Sequence, residues 1–115
     1  MVWVLSERGE IYRLTSRYDE ALADFNRAIE LDPKLTIAYK NRGEAYRLME
    51  RYDEALADFN RAMSLNENDA WTIGSRGQVY RALGRNAEAL ADFNRALELD
   101  PSLNWVVQER NQLQP

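Results

Sequence analysis

Apolar and polar positions follow a helical period along most of this chain, and the period itself recurs. In residues 18–31 (YDEALADFNRAIEL), Ala21, Phe25 and Ala28 fall at i, i+4 and i+7, one face of an α-helix. The triplet returns as Ala55, Phe59, Ala62 and as Ala89, Phe93, Ala96. Leu22, Ile29, Leu56, Met63, Leu90 and Leu97 draw a second apolar line, so these helices need cover on two sides and cannot stand alone. A different helix precedes each one. Its first stripe reads Leu5, Gly9, Tyr12, then Tyr39, Gly43, Tyr46, then Ile73, Gly77, Tyr80. That stripe is expected to face the following helix, with glycine letting the two backbones approach. Val4, Arg8, Ile11 and their counterparts Ala38, Arg42, Ala45 and Thr72, Arg76, Val79 are expected to face the adjacent unit. A third stripe is mixed and polar: Trp3, Ser6, Glu10, Arg13, then Ile37, Lys40, Glu44, Arg47, then Trp71, Gly74, Gln78, Arg81. It reads as facing solvent or a ligand.

The twelve residues RYDEALADFNRA at 51–62 stand letter for letter at 17–28, and return as RNAEALADFNRA at 85–96, each time at an offset of 34 residues. ERGEIYRL, NRGEAYRL and SRGQVYRA, beginning at Glu7, Asn41 and Ser75, repeat in step. Such a period means stacked two-helix units. The pattern predicts first helices over Trp3–Thr15, Ile37–Met49 and Trp71–Leu83, and second helices over Tyr18–Leu31, Tyr52–Leu65 and Asn86–Leu99. Gly84 stands where a helix ends in a left-handed residue; Ser16 and Glu50 hold that place in the other units and should be less comfortable there. Asp19, Glu20, Asp53, Glu54 and Glu88 put negative charge at helix starts, where the macrodipole favours it. Asp32-Pro33 and Asp100-Pro101 stop the second helices, because the residue before proline leaves the α region. Asn66-Glu67 replaces that pair in the middle unit, which predicts a softer joint. A last segment, Asn104–Gln114, begins WVVQER in parallel with WVLSER at Trp3 and then turns polar. It reads as a capping half-unit showing Gln108, Glu109 and Gln112 to water.

Composition narrows the chemistry. The chain has 115 residues, 45% hydrophobic and 30% charged, the profile of a soluble folded protein. No apolar run approaches the ~20 residues that span a bilayer. Cys and His are both absent, which excludes disulfides, thiolate chemistry, zinc sites built on those residues and imidazole catalysis. A net charge of −4 argues against a nucleic-acid backbone as main partner. Repetition begins almost at residue 2, as it would in a piece of a larger protein; a cytoplasmic setting is the expectation, and a missing targeting signal carries little weight. The cations are mostly arginine, which suits planar, partly buried ion pairs; biased genome composition would explain the usage equally well.

Gly9, Tyr12, Ala21, Phe25, Ala28 and Pro33, with their in-phase copies Gly43, Tyr46, Ala55, Phe59, Ala62 and Gly77, Tyr80, Ala89, Phe93, Ala96, Pro101, resemble the tetratricopeptide repeat, a 34-residue helix–turn–helix unit. The version with Arg-Gly in the first helix and Ala-Asp-Phe in the second is similar to bacterial tandem arrays. The resemblance implies an all-α fold, a right-handed α-solenoid of antiparallel helix pairs. It divides residues 1–115 into one repeat domain: repeats over 2–35, 36–69 and 70–103, and a capping helix over 104–115. One departure is informative. The residue before each glycine is usually leucine in this family, and here it is Arg8, Arg42 and Arg76. In an antiparallel pair turning near Ser16, Arg8 lies opposite Asp24, which predicts ion pairs Arg8–Asp24, Arg42–Asp58 and Arg76–Asp92. The other reading of these arginines is that their stems cover apolar surface while their heads reach water.

The resemblance also implies that first helices line a concave groove in which partner peptides lie. The candidate groove residues are Trp3, Glu10, Arg13, Ile37, Lys40, Asn41, Glu44, Arg47, Trp71, Gln78, Arg81 and Trp105. Trp and Arg are enriched among binding hot spots. Two structural uses compete with binding. Trp71 and Trp105 would pack on Leu65 and Leu99, and the Glu and Arg rows would neutralise one another. A subclass of the family binds acidic chaperone C-terminal tails through Lys, Asn, Asn, Lys and Arg. The matching residues here are Ser6, Glu10, Asn41, Trp71 and Ser75, so chaperone tails are not the expected partner. No catalytic residue, metal site or cofactor is expected: hydroxyls such as those of Ser6 and Ser75 lack a base, and adjacent acids such as Asp19 and Glu20 do not converge across a cleft. The leading expectation is a non-enzymatic scaffold for a protein or peptide segment, with no nucleic acid and no membrane. The rival is a structural repeat, recently duplicated or engineered, that self-associates through its terminal helices. The identity of the copies even at Asn26, Asn60 and Asn94 favours it.

Overall fold

The computed structural model describes residues 2–114. Seven helices follow one another: α1 (Val2–Leu14), α2 (Tyr18–Leu31), α3 (Thr36–Leu48), α4 (Tyr52–Leu65), α5 (Ala70–Ala82), α6 (Asn86–Leu99) and α7 (Asn104–Leu113). The second helices match the sequence expectation. The first helices begin and end one residue earlier than expected. The helices form hairpins α1/α2, α3/α4 and α5/α6, stacked in order into a solenoid of 45 × 24 × 22 Å, with α7 against α6. Among the described residues no helix is long and apolar enough to cross a membrane.

Each hairpin is built around one phenylalanine. Phe25, Phe59 and Phe93 are at most 1% exposed. Each ring lies on the glycine of its first helix: a Cβ at Gly9, Gly43 or Gly77 would come within 2.7 Å of ring carbon. No ordinary side chain fits there, so glycine's cost in a helix interior is accepted for the close approach. Alanines beside each ring are equally buried and let the next unit approach. Ala45 joins Ala21, Leu22 and Phe25 in one cluster, and Val79 joins Ala55 and Phe59 in another. The second stripe of α3 and α5 thus faces the preceding unit, as expected.

The turns obey one rule. Ser16 N–H donates to the Arg13 carbonyl at 3.1 Å and Arg17 N–H to the Tyr12 carbonyl at 2.7 Å, which closes the helix end. Glu50/Arg51 and Gly84/Arg85 do the same. The residue that makes this turn has φ of 62° at Ser16, 61° at Glu50 and 77° at Gly84. The arginine that follows lies over the tyrosine ring of the turn, 4.6 Å from Tyr12 for Arg17 and 4.8 Å from Tyr46 for Arg51. It also pairs with a glutamate three residues on: Arg17–Glu20, Arg51–Glu54, Arg85–Glu88.

The three expected ion pairs are present, and each is two-pronged. Arg42 Nε and Nη2 donate to Asp58 at 2.8 and 2.7 Å; Arg8 holds Asp24, and Arg76 holds Asp92, in the same way. Burial pushes the Asp58 carboxyl up, against the pull of Arg42, while the same hydrogen bonds hold the Arg42 proton more tightly. The cost of burial thus falls on the carboxylate. The third guanidinium nitrogen reaches into the preceding unit: Arg42 Nη1 donates to Asn26 at 2.8 Å and Arg76 Nη1 to Asn60 at 3.0 Å. The repetition of Asn26 and Asn60 therefore has a structural cause, since each bolts one unit to the next.

The corner without proline keeps its shape. Asp32, Asn66 and Asp100 all end their helices in extended backbone, and each accepts from the N–H two residues on. Asn66 manages this alone, and the corner gains Asp69, which caps α5 through Thr72 N–H and pairs with Lys40 at 2.7 Å.

Glu50→Gly should raise unfolding stability by about 0.5–1 kcal/mol, and Gly84→Ala, with nothing within 4 Å of the added Cβ, should lower it by about 1 kcal/mol; urea midpoints check both. Asp58→Asn strands the half-buried Arg42 and should cost about 2 kcal/mol. Asp24→Asn should cost clearly less, since the Arg8 side chain is 56% exposed against 21% for Arg42. Equal losses in paired denaturation curves would show that burial does not set the value of these pairs.

Candidate functional site

The first helices α1, α3 and α5 lie side by side along one flank of the stack. This follows from the hairpin pattern: each first helix must face its own second helix through glycine and the preceding unit through its second stripe, which leaves the third stripe outward. Two adjoining cavities open along it. One, of about 230 Å³, is lined by Glu10, Arg13, Ile37, Lys40, Asn41, Glu44 and Trp71. The other, of about 220 Å³, is lined by Glu44, Arg47, Trp71, Ser75, Gln78 and Trp105. Glu44 and Trp71 form the wall they share.

Ten of the twelve candidate groove residues line these cavities. Trp3 and Arg81 line neither: Trp3 is 65% exposed on α1, and Arg81 Nη1 donates to Glu109 of α7 at 2.6 Å. Ser75, which is not among the candidate groove residues, also lines the second cavity. It is 1% exposed, and its small size is the one signal that it yields room. The stripe is also less uniformly outward than its polarity suggests. Ser6, Glu44 and Gly74 of the stripe are buried, as is Asn41 beside it.

Charge along the groove is largely paired. Glu44 accepts from Arg47 Nη2 at 2.9 Å, and Glu10 faces Arg13 at 3.5 Å. Lys40 belongs to Asp69. Glu109, expected to face water, instead takes Arg81 and, at 3.3 Å, Gln78. The reason is the residue at 78: where the other units have glutamate to satisfy the arginine three places on, this one has glutamine, and Arg81 turns to α7. Trp71 and Trp105 meet edge to face with centroids 4.9 Å apart. Trp105 also packs on the C-terminal core along with Leu99, while Trp71 stays 48% exposed.

Against this self-neutralised background four buried, unpartnered atoms of cavity-lining residues stand out among the described residues, Arg13 Nε and Trp105 Nε1 being two of them. Asn41 Nδ2, a donor, and Glu44 Oε1, an acceptor, are buried without a hydrogen-bond partner among the described residues. A buried polar atom in that condition is costly, and a bound group or water relieves it. Among the described residues no three acidic side chains gather in a metal-holding cluster.

Burial would raise the Asp69 carboxyl, but Lys40 and the Thr72 backbone N–H hold it below its ordinary value. A depressed carboxyl stabilises the fold above its unfolded pKa, and the benefit is lost as pH falls through the folded value. Stability should therefore decline below about pH 4, and Asp69→Asn should flatten that part of the decline. Parallel acid titrations of wild type and D69N, followed by circular dichroism, check this.

The tetratricopeptide repeat family model matches residues 1–68 and, overlapping, 34–102. No curated protein matches the chain. Solved structures do. The first TPR of Spaghetti (RPAP3), bound to the HSP90 peptide SRMEEVD, is 30% identical over 97% of this chain and 89% of its own, with a TM-score of 0.93. The Arabidopsis OM64 TPR domain is 26% identical over 98% of this chain and 93% of its own, at 0.95. The second TPR domain of human RPAP3, in complex with the HSP70 peptide SGPTIEEVD, is 27% identical over 96% of this chain and 92% of its own, at 0.89.

Proposed function

The chain belongs to the tetratricopeptide repeat family, and on that premise we propose that it is a non-catalytic scaffold that holds an extended peptide segment of a protein partner in the groove of α1, α3 and α5. The observation that carries this reading is that Asn41 Nδ2 and Glu44 Oε1, a donor and an acceptor, find no partner among the described residues and sit beside an exposed Trp71. One donor and one acceptor on successive turns of α3 complement one peptide unit, whose carbonyl accepts from Asn41 and whose N–H donates to Glu44. Trp71 offers an apolar face for the neighbouring side chain. Because the groove charges are already paired, recognition rests on shape, backbone hydrogen bonds and the tryptophan rather than on net charge.

The expectation against chaperone tails needs correction. It rested on the absence of cations at Ser6, Trp71 and Ser75 and on a glutamate, Glu10, where the clamp has an asparagine. Two of the matching domains hold HSP90 and HSP70 peptides on this same fold, so the architecture does not bar such ligands. An SRMEEVD peptide accordingly belongs in the panel to be measured.

Titration of a peptide library and of SRMEEVD, followed by tryptophan fluorescence, tests the proposal. The best ligand should lose about tenfold or more in affinity on Trp71→Ala, the scale of a hot-spot aromatic. Asn41→Ala should lose severalfold. Peptides that bind wild type and both variants equally would remove the groove as the binding site.

A further inference from the structure

The two ends of the stack are unlike, and they fit each other. At one end the outer face of α1 carries Val4 and Ile11 at 59% and 60% exposure, although their counterparts Ala38, Ala45 and Val79 are fully buried against a preceding second helix. Arg8 Nη1 lacks, among the described residues, the asparagine that Arg42 and Arg76 each find on that helix. At the other end that helix exists: α6 presents the same face, and α7 covers it.

α7 covers it with a copy of α1. Trp105, Val106, Glu109 and Arg110 repeat Trp3, Val4, Glu7 and Arg8 three periods on, and Leu113 stands in the place of Ile11. The seat on α5 and α6 is made for this pattern. Val106 is fully buried among Ile73, Phe93 and their neighbours. Trp105 lies over Gly74, where a Cβ would come within 2.8 Å of the indole. Glu109 takes Arg81. One residue of α7 is badly served: Arg110 Nε is buried without a partner. Among the described residues no aspartate pairs with Arg110, whereas α1 brings α2 and Asp24, which already holds Arg8.

We infer that this protein associates head to tail, with α1 of a second copy displacing α7 from the α5/α6 seat of the first. In the exchange Val4 takes the place of Val106, Trp3 that of Trp105 against Trp71, and Glu7 that of Glu109 at Arg81. Arg8 then meets Asn94 as Arg42 meets Asn26. The contact continues an interface that the molecule already makes twice inside itself, at α2/α3 and α4/α5. Being heterologous, it propagates. α7 is the internal competitor that sets the concentration at which growth begins. This inference does not depend on the peptide reading.

Sedimentation of the full chain over a concentration series tests it. Wild type should pass from monomer to a ladder of larger species. Glu109→Lys, which removes the Arg81 contact of α7 and leaves the seat intact, should lower the midpoint by about fivefold, the worth of one partly exposed ion pair. Trp105→Ala, which loosens α7 at another point, should shift it in the same direction. Val4→Asp, at an exposed site, should stay folded and monomeric. Added in small amounts to wild type, Val4→Asp should shorten the assemblies, because it still offers its seat but cannot extend. The inference is overturned if wild type and both loosened variants remain monomeric at every concentration, or if Val4→Asp assembles like wild type. It is equally overturned if Val4→Asp is inert in the mixture, the behaviour of a symmetric α1–α1 contact.

Discussion

Everything in this molecule is arranged around a ring pressed on a backbone. Phe25, Phe59 and Phe93 each lie where the Cβ of a facing residue would have to be, so the facing residue is glycine. That contact sets how close the two helices of a hairpin come and at what level they meet. Once the level is set, the residue before the glycine stands opposite the residue before the phenylalanine, and an arginine there finds an aspartate at two-pronged distance.

The arginine does more than close its own hairpin. Two of its nitrogens hold the aspartate and the third reaches Asn26 or Asn60 of the unit before. A lysine has no such fork, and its single charge would serve one partner at a time. The arginines of the turns lie over tyrosine rings, another use of a flat cation. The preference for arginine, which genome composition also explains, thus has a structural use at six positions.

Stacking by this device leaves the third stripe of each first helix outward and creates a groove without any residue being devoted to making one. It also makes the ends of the stack chemically distinct. α7 borrows the beginning of a first helix to close one end, and α1 leaves at the other the face that every internal first helix buries.

Much of this was legible in one dimension. The 34-residue period, the Ala-Phe-Ala face and the glycine opposite it dictated helix number, pairing and the Arg–Asp ties, because those contacts are local and repeat. The turn residues Ser16, Glu50 and Gly84 showed their left-handed backbone through position alone. Other features depended on which units become neighbours in space. The burial of Glu44 and Asn41, the bond from Arg42 to Asn26, the meeting of Trp71 with Trp105 and the turn of Glu109 toward Arg81 are of this kind. They join residues of different units, at distances set by the stacking angle, and a periodic pattern is the same for any angle. The repeat therefore told which surfaces would be covered; only the assembled stack decided which polar atoms found partners and which were left without.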